Sequence, residues 1–181
     1  GMGEPLDNLR NVETAVRTLT DPAAFGFSPR TITVSTVGPS PAAIRAAASL
    51  PCKLAWSVHA AREELRRALV PTSAAHPLAD TVHAFSSALE TRADARLRGK
   101  LLIEAALIGG VNDGLQHAAD LAELVHELGA PGVLVNLIPY NENPGLGPPD
   151  DATLRPGASS LLGSGPFRQP SLDAVRAFQR E

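Results

Sequence analysis

Cysteine is nearly absent from this sequence, which has one, Cys52, among 181 residues. A single thiol excludes an intramolecular disulfide framework. It also excludes an iron–sulfur cluster held by this chain alone, because such a cluster needs three or four cysteine thiolates. Cys52 directly precedes a predicted strand, and we expect it to be an unreactive thiol in the core.

Long apolar runs and an excess of positive charge are absent as well. No segment approaches the roughly 20 apolar residues that cross a membrane, and the N-terminus has no signal-peptide pattern. The formal net charge of -3 argues against a generally basic nucleic-acid-binding surface, without excluding a nucleic-acid substrate. Hydrophobic residues make up 44% of the chain, enough for one domain with a substantial core. The composition therefore predicts a soluble, intracellular globular chain.

Strands and helices alternate along the first 140 residues. The predicted strands are rich in β-branched or aliphatic residues and cover 31–36, 53–58, 100–108 and 132–138. Helices are predicted over 8–19, 40–49, 63–69, 77–92 and 112–128. This alternation predicts an α/β fold with parallel strands and right-handed crossovers, either as an open doubly wound sheet or as a barrel. The apolar run of the third strand predicts that both of its faces are covered.

The composition changes after Pro139. Residues 141–170 are dense in Pro, Gly and Ser and are predicted to form a loop or a disordered segment. A short helix is predicted to follow, with Ser171 as its cap and an apolar stripe of Leu172, Val175 and Phe178. The chain is thus divided into a domain of residues 1–140, the Pro/Gly/Ser-rich segment 141–170 and a C-terminal helix within 171–181.

Polar residues stand at the predicted carboxyl ends of the strands. They are Ser35 and Thr36, Ser57 and His59, and Asn136, with Gly3 and Glu4 expected to end a strand that lies mostly outside this chain. In parallel α/β folds, ligand sites form at this edge of the sheet. Singly, each such residue is more often a turn, cap or structural residue. Together on one rim, they predict a binding site.

Five segments carry a more specific pattern. They are 1–6 (GMGEPL), 33–36 (TVST), 57–60 (SVHA), 111–114 (VNDG) and 136–141 (NLIPYN). In this order and at similar spacings, they resemble successive signatures of the RlmN/Cfr family of radical S-adenosylmethionine (SAM) RNA methyltransferases. The resemblance covers about residues 1–145 and implies the C-terminal two-thirds of a partial parallel βα barrel, truncated on its N-terminal side. It implies methylation of adenine, at carbon 2 in the RlmN type or carbon 8 in the Cfr type.

The resemblance also implies a SAM pocket. Its residues would be Gly3, Glu4, Ser35, Ser57, Val58, His59 and Asn136. Glu4 would accept a hydrogen bond from the methionyl ammonium, where Gly3 permits close backbone approach. Ser35 would lie at the methionyl carboxylate, and the segment 57–59 and Asn136 would line the adenosyl portion.

Two parts of the family pattern are missing from this sequence. The family holds a [4Fe–4S] cluster with a CxxxCxxC loop and carries the methyl group on a C-terminal cysteine, and neither has a counterpart here. No metal ligand or catalytic residue is therefore predicted in this chain. Two interpretations stay open: a part of a true methyltransferase, or a degenerate, non-catalytic module that binds SAM or a partner.

Three further features are assigned mainly to structure. Glu104, in an apolar strand, is either an inward-facing site residue or an interior charge paired with an arginine, and the second is favoured. Asn112 or Asp113 is predicted to cap the following helix. Trp56 is predicted to be a packing residue.

The resemblance implies RNA as the partner, ribosomal and, for the RlmN type, transfer RNA, with no membrane. It implies a cytoplasmic location, or a plastid if the source is an alga or plant. The strand 31–36 would have an unpaired flank carrying Ile32 and Val34. Exposed β-branched edges pair with other chains, so self-association through this edge is expected.

Overall fold

The computed structural model describes residues 3–142, 158–163 and 165–181. Its sheet contains four parallel strands in the order β1-β2-β3-β4, which are β1 (Thr33–Thr36), β2 (Lys53–Ser57), β3 (Lys100–Leu107) and β4 (Gly132–Pro139). The α-helices are α1 (Leu9–Thr20), α2 (Pro41–Ala47), α3 (Glu63–Leu69), α4 (Leu78–Glu90), α5 (Leu115–Glu127), α6 (Ala158–Leu162) and α7 (Leu172–Arg180), with 3₁₀ helices at Pro5–Asn8 and Pro71–Ala75. None of the helices in these ranges combines the length and apolar character needed to cross a membrane.

Two helices begin at the serines that the sequence predicts as caps. The Ser40 hydroxyl accepts a hydrogen bond from the Ala43 N–H at 3.2 Å, and Pro41 occupies the first turn of α2. The Ser171 hydroxyl accepts from the Ala174 N–H at 3.1 Å at the start of α7. Each serine satisfies a backbone donor that has no partner within its helix.

The helices of the main domain cover one face of the sheet. The side chains on this face are buried, and they form one core with residues of α1, α2, α4, α5 and α7. The sheet contributes Val34, Leu54, Trp56, Leu101, Ile103, Ala105 and Leu107 to this core. At its centre Trp56 is fully buried and stacks on Phe85 of α4, with 4.6 Å between ring centroids. The prediction that Trp56 is a packing residue is confirmed.

In the part of the chain that the structure describes, the opposite face of the sheet is open. Along β3, Leu102, Glu104 and Ala106 alternate with buried residues and are only half-buried. On β4, Leu134 is 67% exposed and Ile138 39%. The prediction that both faces of the third strand are covered is therefore wrong. An apolar run with one interrupting carboxylate does not distinguish a covered strand from one whose second face lines a cavity.

The C-terminal region contains one element that the sequence does not predict. Helix α6 falls within the segment 141–170, where a loop or disordered segment is expected. Leu162 supplies the physical reason, since it is 3% exposed and packs with Ala60 and Leu65 against α3. For residues 143–157 and 164, the expectation lies outside the described residues. In α7, Val175 and Phe178 are buried as predicted, whereas Leu172 is 62% exposed.

Candidate functional site

A row of polar residues lies on the open face, at the carboxyl end of β2 and in the carboxyl-terminal halves of β3 and β4. In the register of the sheet, Ser57 pairs with Glu104, and Glu104 pairs with Asn136. Ser35 of β1 lies beside this row, because its hydroxyl oxygen is 3.2 Å from that of Ser57. The structure thus brings together three of the residues that the sequence predicts for the site, and it adds Glu104.

Glu104 binds the two serines. Its Oε2 accepts a hydrogen bond from the Ser35 hydroxyl at 2.7 Å and lies 3.4 Å from the Ser57 hydroxyl. The favoured interpretation of Glu104 as a charge paired with an arginine is wrong, since its partners are hydroxyls on the open face. Strand alternation could have indicated this position. Side chains two residues apart in a strand lie on the same face, so Glu104 shares the face of Leu102 and Ala106.

Asn136 is exposed on β4. A buried amide inside an apolar strand would need hydrogen-bond partners. Among the described residues, however, β4 is the last strand of the sheet on one side, and the Asn136 side chain lies on the open face. The amide is therefore available as both donor and acceptor for a molecule lying on this face.

Glu4 ties the segment before the first 3₁₀ helix to the end of β1. Its carboxylate accepts hydrogen bonds from the Thr36 hydroxyl at 2.6 Å, the Val37 N–H at 3.0 Å and the Leu6 N–H at 2.9 Å. The Thr36 hydroxyl in turn accepts from the Gly38 N–H at 2.9 Å. Glu4 thus lies at the carboxyl rim where the sequence places it, and three donors of the chain already engage it.

Gly3 and Val58 occupy different environments. Gly3 is exposed, and a Cβ at its position would have no neighbouring atom within 4 Å. Val58 is fully buried in the core, so its side chain does not reach the open face. Only the backbone of Val58 can line a site at this rim.

His59 follows β2 in an unusual conformation. Its φ is 59°, in the left-handed region that side chains other than glycine and a few polar residues rarely adopt. Its Nδ1 accepts a hydrogen bond from the Ala106 N–H at 3.1 Å. Burial lowers the pKa of His59, and the nearby Arg66 lowers it further, against the opposite effect of Glu104. At neutral pH the lowered pKa favours the neutral ring. Because Nδ1 accepts a hydrogen bond, the ring proton lies on Nε2, which makes Nε2 a donor.

Asn112 joins the ends of β2 and β3. It is 2% exposed, and its Nδ2 donates to the carbonyl oxygens of His59 at 2.7 Å and Ala106 at 2.8 Å. Its Oδ1 accepts from the Ile108 N–H at 2.6 Å. The prediction that Asn112 or Asp113 caps the next helix is wrong, because Gly114 is the N-cap of α5 and Asp113 instead accepts from the Gly110 N–H. The sequence motif is typical of a helix cap and does not indicate that Asn112 connects the ends of two strands.

A buried arginine lies beneath the rim. Arg66 of α3 is 2% exposed, donates to the Val37 carbonyl at 2.6 Å and lies over the Trp56 ring, 5.6 Å from its centroid. Burial lowers the pKa of Arg66 to about 10, so it stays cationic at neutral pH. This cation holds the carbonyl of Val37, the residue whose N–H donates to Glu4, and it disfavours a second positive charge on His59.

The one cysteine is remote from this rim. Cys52 is fully buried before the start of β2, at the amino end of the strand, and burial raises the pKa of its thiol. Arg92 donates to the carbonyl oxygens of Leu50 and Cys52. The prediction of a core thiol is confirmed. Within the part of the chain that the structure describes, no three His, Cys, Asp or Glu side chains are grouped to hold a metal ion.

Comparison with known proteins first defines the class. A radical SAM methyltransferase from Sphaerobacter thermophilus superposes with a TM-score of 0.77 at 31% sequence identity, over 99% of this chain and 45% of that one. The four parallel strands, the helices on one face and the polar carboxyl rim are thus a partial βα barrel of the radical SAM type.

Curated relatives narrow the class further. The chain is 36% identical over 179 residues to a dual-specificity RNA methyltransferase RlmN from Marinobacter nauticus, covering 99% of this chain and 42% of the relative. It is 41% identical over 158 residues to a probable RlmN from Thermus thermophilus, again covering 42% of the relative. No family model matches. By sequence and fold, the chain is similar to the RlmN-type radical SAM methyltransferases, and it spans about two fifths of their length.

Proposed function

We propose that this chain is the SAM-binding part of a radical SAM methyltransferase that methylates carbon 2 of adenine in ribosomal RNA, and in transfer RNA where the enzyme has dual specificity. The observation that carries the proposal is the row Ser57, Glu104 and Asn136 on the open face. This row begins at the carboxyl end of β2 and continues through the carboxyl-terminal halves of β3 and β4, on the side of the sheet toward which parallel α/β folds bind ligands. The identity to RlmN enzymes supports SAM as the ligand.

The polar groups of the open face suit the two ends of SAM. Hydroxyls of Ser35 and Ser57 offer hydrogen bonds without net charge, and Glu104 orients both of them. The Asn136 amide can pair with an adenine edge or a ribose hydroxyl. His59 contributes a neutral Nε2–H donor, and Val58 its backbone. When bound, SAM supplies the methyl group and an adenosyl radical precursor.

At the methionyl end, Gly3 and Glu4 complete the proposed pocket. Glu4 already accepts three hydrogen bonds, but a carboxylate has about four acceptor positions, so one is left for the methionyl ammonium. Gly3 leaves open space beside it.

The residues of this chain do not fit the iron–sulfur cluster of the family. One buried thiol at the amino end of β2 lies at the opposite end of the strand from the rim, and three thiolates are needed. The same single cysteine cannot serve as the methyl carrier, because it is fully buried. A second candidate function is a module that binds SAM or a partner without catalysing a reaction. Both candidates share the pocket.

The test is a titration of the ¹⁵N-labelled chain with SAM, followed by NMR. One neutral hydrogen bond is worth about 0.5–1.5 kcal/mol, so Ser57→Ala should weaken binding by roughly 2- to 13-fold. Ser49→Ala is the matched control, since Ser49 is an exposed serine before the amino end of β2. Because ordering the ligand costs free energy, we expect a dissociation constant in the millimolar range. Absence of any SAM-dependent shift at β2–β4, or equal loss in both variants, would refute the pocket.

A further inference from the structure

We propose that Asn112 is a positioning residue that holds the imidazole of His59 in the orientation and tautomer that the SAM pocket uses. The inference rests on the proposed function for the identity of the ligand, but the geometry that carries it is independent of any ligand. The contacts of the buried Asn112 side chain define this geometry.

The hydrogen bonds around Asn112 form a closed circuit. Nδ2 of Asn112 holds the carbonyl groups of His59 and Ala106 at 2.7 and 2.8 Å, one at the end of each neighbouring strand. The Ala106 N–H then donates back to Nδ1 of His59 at 3.1 Å. Ala106 is thus held through its carbonyl by the amide and through its N–H by the ring. One side chain therefore contacts both of the residues whose backbone fixes the ring orientation, His59 and Ala106.

The backbone conformation of His59 requires such an external hold. A φ of 59° is unfavourable for a residue with a Cβ and persists only where surrounding contacts determine it. The hydrogen bond from Asn112 to the His59 carbonyl is such a contact. Without it, we expect the residue to relax toward negative φ, which swings the ring away from the Ala106 N–H.

The charged surroundings of His59 are compatible with this arrangement. Arg66 from α3 and Glu104 from β3 act on the ring in opposite directions, and burial outweighs both. His117 of α5 lines the same small cavity as His59 and Asn112, and burial also lowers its pKa. The neighbours therefore leave His59 neutral, and the acceptor role of Nδ1 fixes the proton on Nε2.

The experiment is ¹H–¹⁵N NMR of the imidazoles in the full chain, with the His59→Gln variant used to assign the resonances. Wild type should show His59 as the Nε2–H tautomer, titrating below 6.5. Asn112→Ala should give a mixture of tautomers and move the pKa toward 6.5. Asn11→Ala, at an exposed asparagine of α1, is the control and should change neither. An Nδ1–H tautomer in wild type overturns the proposal even if Asn112→Ala fails to fold.

A purely structural role predicts a different result. In that case Asn112→Ala lowers stability but leaves the tautomer and pKa of His59 unchanged, and the proposal is wrong. SAM titrations separate this failure from failure of the pocket. If Asn112 acts through His59, Asn112→Ala weakens SAM binding up to roughly tenfold in wild type but little in His59→Gln. If SAM shifts no resonance of the wild-type chain while Asn112→Ala still changes the His59 tautomer, the proposed SAM pocket is wrong. The positioning of His59 by Asn112 would then still be supported.

Discussion

The two faces of the sheet should differ sharply in their tolerance of the same substitution. Leu101 on β3 is 3% exposed on the helix-covered face, whereas Leu134 on the neighbouring strand β4 is 67% exposed on the open face. The two residues are close in the register of the sheet, because Leu101 pairs with Val133. Leu→Ala at each position therefore compares burial alone, with the chemistry of the change held constant.

The burial of each leucine determines how much free energy of unfolding its substitution should cost. At Leu101 the substitution loses the transfer free energy of the side chain and leaves a cavity, for a total of about 2–5 kcal/mol. Full burial of a leucine side chain contributes roughly 1.5–3 kcal/mol to stability. Only about a third of the Leu134 side chain is covered, so its removal should cost about 0.5–1 kcal/mol, and no cavity is formed. With a urea m-value of about 2 kcal/mol per molar, the midpoint should fall by roughly 1–2.5 M for Leu101→Ala and by about 0.5 M or less for Leu134→Ala.

Trp56 provides the assay. It is the one tryptophan in the sequence, it is fully buried, and it stacks on Phe85, so its fluorescence should change on unfolding. Urea titrations at low protein concentration limit the effect of self-association. Equal midpoint losses in the two variants would show that the open face is covered, and the assignment of the site to that face would then be wrong.

Three further outcomes follow from the same structure. Within the described residues β1 pairs with β2 alone, so light scattering should detect self-association through the free edge, and a monodisperse monomer at high concentration would contradict this. Burial lowers the pKa of His59 and His117, so the unfolded chain protonates first. Stability should accordingly be full above about pH 6.5 and decline as the pH falls below it, less so in His59→Gln; an unchanged urea midpoint at pH 5.5 would count against buried neutral imidazoles. Anaerobic reconstitution of the chain with iron, sulfide and reductant should yield no 5′-deoxyadenosine from SAM above the no-protein control, and its formation would reveal cluster ligands other than Cys52.

Local signals predicted most of the elements. The four strands and the helices around them follow from hydrophobic periodicity, and Ser40 and Ser171 cap their helices because a hydroxyl at that position needs only its own chain. The placement of Ser35 and Ser57 at one rim follows from the parallel arrangement, which brings the carboxyl ends of the strands to one edge.

The features that the sequence did not predict depend on contacts between distant residues. Glu104 belongs to the site because the register places it opposite Ser57, and register is not readable from one strand alone. Asn112 stands in a segment typical of a helix start, yet its amide bonds to His59, which is 53 residues away in the sequence. Helix α6 forms because Leu162 finds a surface on α3, which composition cannot indicate.

The central claim is that SAM lies on the open face of the sheet, and intermolecular NOEs test it most directly. The chain would be labelled in its methyl groups and saturated with millimolar SAM. We predict NOEs from the adenosyl protons of SAM to Leu134 and Ile138, which flank Asn136 on that face. NOEs confined to methyl groups of the helix layer, such as Leu121 of α5, would contradict the claim, as would the absence of any NOE to β4.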